Sequence, residues 1–186
     1  MALANAPFGF RPCRHLAGGD PNRNLEFPIA SAYATAICTG DLVKLLNDGT
    51  IARSDAADRP LGVFMGVSYV DSGGSQIFTN RWAASTVATN IKASVMADPM
   101  VTCEVMSGGT PTSADVGQLA DGVTGTGSAV TGTSAAYLNS STGTGTAVFR
   151  ILRLVDKPGN SGQYAVLEVQ FQEHEFLQTV GGTPGV

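Results

Sequence analysis

Residues Gly40–Val67 read GDLVKLLNDGTIARSDAADRPLGVFMGV and hold two strand patterns, a reversal and a third strand in unbroken order. Leu42–Leu46 is apolar apart from Lys44, as a strand buried over most of its surface requires. Asn47-Asp48-Gly49 then reverses the chain, because Asn and Asp side chains bond back to nearby backbone N–H groups and Gly takes a positive φ without steric cost. Thr50–Arg53 is the return strand, and the polar SDAADRP ends in a proline that cannot donate to a ladder. Leu61–Val67 is the third strand, in which Gly62 and Gly66 point to a bulge or to close backbone approach.

Outward from this nucleus the turn signals repeat. Asp71-Ser72-Gly73-Gly74 joins Leu61–Val70 to Gln76–Asn80 as a second hairpin, closed by Trp82, the single tryptophan. Val87–Met96 and Met100–Met106 read as a further pair interrupted at Asp98-Pro99, with Val101, Cys103 and Val105 alternating against Thr102 and Glu104. Val148–Val155 is turned by Lys157-Pro158-Gly159-Asn160 into the clearest strand of the chain. There Ala165, Leu167, Val169 and Phe171 face one way and Glu168, Gln170 and Gln172 the other, the alternation of a sheet with one wet face. Ile29–Thr39 suits a strand, with a short helix as the alternative because alanine favours helix. The expected fold is all-β, a β-barrel or jelly-roll-like sandwich, with helix confined to short pieces near Ser31–Ile37 or Thr112–Ala120. Leu42, Leu45, Val63, Val101, Val105, Leu167, Val169 and Phe171 are expected in one core.

A chain of 186 residues with 43% apolar content and mean hydropathy +0.10 can build a substantial core as one domain. Only 14% of residues are charged and 23 are glycine, which favours strands and turns over helices. A net charge of −4 and a pI near 5.0 argue against wrapping a polyphosphate, so no nucleic-acid partner is expected. No run approaches the ~18 apolar residues of a membrane-spanning helix, and the amino terminus lacks a basic segment followed by an apolar one; no membrane partner is expected, and synthesis in a cytoplasm is. Cys13, Cys38 and Cys103 are odd in number and lack metal-ligand spacing, which predicts buried free thiols.

Residues 1–28 contain three glycines and four prolines, and no regular element is expected there. Phe8, Phe10 and Phe27 are nevertheless too apolar for a solvated tail. The segment is expected to be an extended arm that docks, either on a partner or on its own domain, through Phe8, Phe10, Arg11, Arg14, Leu16, Leu25 and Phe27. A single β domain follows over 29–176, with a loop excursion over 107–147 and a glycine-rich tail at 177–186. From Gly122 to Phe149 no residue is charged, and Val123, Val130, Tyr137 and Leu138 are spaced along a Gly/Ser/Thr-rich background. A loop of that length with apolar anchors is expected to be functional, with Val130, Tyr137 and Leu138 as contacts to a partner.

Catalytic groups are sparse. Neighbours in a strand point to opposite faces, so Glu173-His174-Glu175 is read as a solvated strand end and not as a chelating triplet. No serine sits in a G-x-S-x-G turn, and neither Gly73-Gly74 nor Gly108-Gly109 has the lysine and helix start of a phosphate loop. No catalytic residue, cofactor or metal site is expected. Exposed aromatics such as Trp82, Tyr69 or Tyr137 would instead suit a carbohydrate- or receptor-binding module of a virion.

NAPFGFRP near the start, TGDLVKLLNDGTI followed by PLGVFMGVSY, DVGQLAD with its GTGS sequel, and FRILRLVD with QYAVLEVQFQEHEF together resemble tailed-bacteriophage capsid cement, or head decoration, proteins. The resemblance covers about Asn5 to Phe176 and rests on turn spacings and strand edges. It implies a β protein on the outside of the major capsid protein shell, present as a homodimer or homotrimer, made in the bacterial host cytoplasm and without an active site.

Overall fold

The computed structural model describes residues 4–19, 24–55, 58–143 and 147–177. Its strands in chain order are β1 (Arg11–His15), β2 (Asn24–Phe27), β3 (Ile37–Cys38), β4 (Leu42–Leu45), β5 (Ile51–Arg53), β6 (Gly62–Val70), β7 (Gln76–Thr79), β8 (Arg81–Trp82), β9 (Thr89–Met96), β10 (Val101–Met106), β11 (Leu119–Ala120), β12 (Gly122–Val123), β13 (Tyr137–Leu138), β14 (Phe149–Leu154) and β15 (Val166–Phe171). The chain is all-β. Helix among the described residues is confined to one 3₁₀ turn at Ser113–Asp115, closed by a capping box from Thr112.

One sheet has the order β1-β10-β15-β14-β11; another runs β2-β9-β6-β4-β5, with β7 also on β6. Every ladder between these strands is antiparallel. The Gly40–Val67 nucleus forms as read, and Asp48 accepts from the N–H and the hydroxyl of Thr50 to fix the turn. At Gly62 a Cβ would lie 2.1 Å from the Met96 carbonyl oxygen, and Gly66 sits at a bulge, so both strand glycines answer close backbone geometry. Asp71 accepts from the N–H groups of Gly73 and Ser75 in the β6–β7 hairpin. Asn160 bonds both ends of the β14–β15 hairpin, to Val155 and Val166.

The apolar side chains form two clusters, not one. Leu42, Val63, Val101, Val105, Leu167, Val169 and Phe171 share the first with Phe10, Leu138, Phe149 and Ile151, whereas Leu45 packs against the second, around Ile37, Val43, Phe64, Trp82 and Val95. The reason is the period of two: Leu42 and Val43, like Val63 and Phe64, leave one strand on opposite faces, so the second sheet feeds both clusters. β9 and β10 are not a hairpin; Asp98-Pro99 carries the chain from one sheet to the other. Ile29–Thr39 is turn and bend with only β3 as strand, Ala32 taking a φ of 62°.

Residues 1–28, read from their breakers as devoid of regular elements, supply an edge strand to each sheet: β1 pairs β10 and β2 pairs β9. Pro12 is tolerated because β1 is an edge strand. Of the expected tail over 177–186, all but Leu177 lies outside the described residues.

Candidate interaction surface

Both flanking strands around β10 and β15 carry the spacing R-x-x-R, as Arg11-Pro-Cys-Arg14 in β1 and Arg150-Ile-Leu-Arg153 in β14. In a regular strand, residues three apart face opposite ways. Each stretch is interrupted by a register shift, between Pro12 and Arg14 in one and between Ile151 and Arg153 in the other. The extra residue returns the second arginine to the face of the first. Pairing across the four strands then places Arg11, Glu104, Glu168 and Arg153 in one row and Arg14, Thr102, Gln170 and Arg150 in the next. Four arginines thus mark the corners of a rectangle on the face turned away from the first cluster, ~14 Å wide across three strand spacings of ~4.8 Å and ~7 Å along the strands.

Glu168, expected on a wet face, is buried at 1% exposure by its neighbours. Arg14 donates through Nε to its Oε1 at 2.5 Å and through an Nη to Oε2 at 2.8 Å; Arg153 Nε donates to Oε2 at 2.6 Å and the Thr102 hydroxyl to Oε1 at 2.8 Å. Burial alone would raise the Glu168 pKa, but these donors outweigh it and hold the carboxyl below the usual range. The two guanidinium groups stay about half exposed, so their outer edges meet solvent while Glu168 fixes their inner edges. Arg11 lies 4.2 Å over the Phe8 ring, Arg150 donates to Gln172 and to the Gly117 carbonyl, and Lys157 pairs with Glu104 at 2.7 Å. Five of the eleven cationic side chains of an acidic protein therefore share this face. The paired R-x-x-R spacing was the available sequence signal. Strict alternation hides it, since it places each pair on opposite faces.

The other arm residues divide. Phe10 is not a partner contact: it is 1% exposed inside the first cluster and stacked on Phe149 at 4.7 Å. Its N–H reaches the Gly40 carbonyl, and Gly9, at φ 79°, passes so close to Gly40 and Ser134 that a Cβ would meet both at 2.7 Å. Phe8 is half-buried beneath Arg11, and Phe27 packs against the second cluster. Arg11, Arg14, Leu16 and Leu25 are exposed. Cys13, at the β1 bulge, is also exposed, while Cys38 and Cys103 are buried as free thiols.

The uncharged excursion is laced onto its own domain. Ser134 donates to the buried Asp41 carboxylate at 2.5 Å, the Cys38 N–H reaches the other oxygen at 2.8 Å, and Arg53 bridges Asp41 to the Gly125 carbonyl. Desolvation raises the Asp41 pKa despite these donors. Gly125, Gly127 and Gly132 lie where a Cβ would press into Ala135, Cys38 and Asn80, so small residues here serve close packing. Leu138 is fully buried in the first cluster and is not a partner contact; Tyr137 is half-buried over Gly108. Of the three expected contacts in the excursion, Val130 alone is exposed, at 95%.

His174 is not a solvated strand end. It is fully buried, edge-on to Phe171, and desolvation drives its pKa down from 6.5 to about 4. Trp82 and Tyr69 pack edge-to-face within the second cluster, so Trp82 offers no stacking platform for a sugar. An open groove of about 740 Å³ runs past Lys44, Asp48, Asp58 and Glu175, with Lys44 and Asp58 paired at 2.8 Å. No group of three His, Cys, Asp or Glu among the described residues is placed to hold a metal ion. No described helix is long and apolar enough to cross a membrane. No family model, curated protein or solved structure matches the chain.

Proposed function

We propose that this chain is a structural cement protein of a tailed-phage head, a non-enzymatic brace that binds the outside of the major capsid protein shell as a dimer or trimer. The observation that carries the reading is the arginine rectangle on the β1-β10-β15-β14 face, where the buried Glu168 holds two guanidinium groups in place. Such a face is built for contact, because prefixed side chains lose little entropy on meeting a partner. Rigidity supports the same reading: both the N-terminal segment and the uncharged excursion are bonded into the body, which lets a small protein transmit load between the surfaces it joins. The likeness of the turn and strand pattern to capsid cement proteins supplies the identity of the partner. Co-sedimentation tests it. Purified chain added to phage heads stripped of decoration should pellet with them at a fixed stoichiometry and raise their resistance to heat; a chain that stays in the supernatant across salt concentrations contradicts the reading.

A further inference from the structure

We infer that the four-arginine face is a receptor for carboxylate side chains on an acidic protein surface. The inference deepens the cement reading by naming the chemistry of the contact, and it rests on that reading for the protein that bears the carboxylates. The first ground is the doubled geometry: two strands from opposite ends of the chain each carry R-x-x-R, and each has a bulge that turns the pair onto one face. A bulge interrupts a ladder, and bulges recur where a side chain must be re-aimed. One arginine would neutralise Glu168. Four are present, and Arg11 and Arg150 are bound to no carboxylate among the described residues, resting instead on Phe8 and on Gln172 with the Gly117 carbonyl.

The second ground is the grip already displayed. Glu168 takes two N–H groups from Arg14 and one from Arg153, the planar pairing in which guanidinium matches carboxylate, and the outward Nη1 of Arg14 and both Nη groups of Arg153 have no acceptor among the described residues. The third ground decides between anions. Glu104 and Glu168 occupy the middle of the face and cancel part of its positive charge, and the chain is net −4, so a polyphosphate finds no continuous basic track across the centre. Discrete carboxylates on a folded surface can take the corners and avoid the middle.

Biolayer interferometry with the full chain over immobilised poly-L-glutamate, duplex DNA and anionic phospholipid vesicles tests this. Poly-L-glutamate should bind at low ionic strength and release at high salt, with DNA and vesicles weaker. The pair Arg11→Glu and Arg150→Glu, neither of which touches Glu168, should lose about tenfold or more, since each exposed ion pair contributes up to ~1 kcal/mol. Lys92→Glu with Arg81→Glu makes the same change in net charge away from the face and should lose little. Arg11→Gln with Arg150→Gln, checked by thermal melting, gives the same reading should the reversal variant misfold. Preferential binding of DNA or vesicles, equal loss in the two charge-reversal pairs, or no binding to poly-L-glutamate at low salt overturns the inference. Loss of glutamate binding with unchanged pelleting on heads removes this inference alone. Intact glutamate binding with no pelleting removes the cement reading and leaves the receptor chemistry standing.

Discussion

Replacing Phe10 by alanine tests whether the N-terminal segment is part of the folded body. Its ring is 1% exposed, stacked on Phe149 and in contact with the site of Gly122, where a Cβ would sit 3.0 Å from it. Truncating a buried phenylalanine costs ~3–5 kcal/mol through lost transfer energy and the cavity left behind, and the stacked ring pair falls within that range. For a chain of this size each kcal/mol moves the melting temperature by ~2–4 °C, so Phe10→Ala should melt about 6–20 °C below the parent. Scanning calorimetry or a circular dichroism melt reads this directly. Leu25→Ala, on the edge strand of the other sheet at 46% exposure, should shift it by only a few degrees. A Phe10→Ala protein that melts with the parent, while Phe149→Ala melts early, would show that the segment is not seated in the core. The same packing implies that removing Met1–Asn24 destabilises the domain and does more than sever a tether.

Three further outcomes follow from buried polar and backbone contacts. His174 is neutral in the fold, with its pKa lowered from 6.5 to about 4, so its contribution is complete above pH 6.5 and is lost as pH falls from there to about 4, by ~3 kcal/mol at ~1.4 kcal/mol per unit; chemical denaturation of a His174→Leu variant across that window should lack this slope, and an unchanged slope refutes the burial. Ser134→Ala leaves Asp41 and the Ala136 N–H each short of a bond and should cost ~1–3 kcal/mol in urea unfolding, with faster hydrogen exchange along 125–136; a neutral result would detach the excursion from Asp41. Gly62→Ala drives a Cβ to 2.1 Å from the Met96 carbonyl and should lower the melting temperature by more than a surface substitution does, an outcome checked by the same melts.

Much of the fold was legible where local chemistry decides it. The Asp48-Gly49, Gly73-Gly74 and Pro158-Gly159 turns, the hairpins around them and the apolar faces of β10 and β15 follow from turn residues and a period of two. What escaped depends on partners remote in sequence. Breakers in residues 1–28 exclude a long element but not short edge strands that borrow a ladder from β9 and β10. Leu138 and Phe10 look like contact residues in their own segments, and only the folded chain shows that they fill one cluster. Glu168 looks solvated until Arg14, more than 150 residues earlier, arrives beside it. The site was the least legible part, because its arginines share a face only through two bulges that periodicity does not announce.

The most direct test of the cement proposal is a cryo-electron reconstruction of a phage head assembled with this chain. The account predicts a two-sheet body on the outer surface of the shell, with Arg11, Arg14, Arg150 and Arg153 turned toward acidic residues of the major capsid protein. Density inside the shell, at the tail, or bound through another face with those arginines in solvent would contradict it.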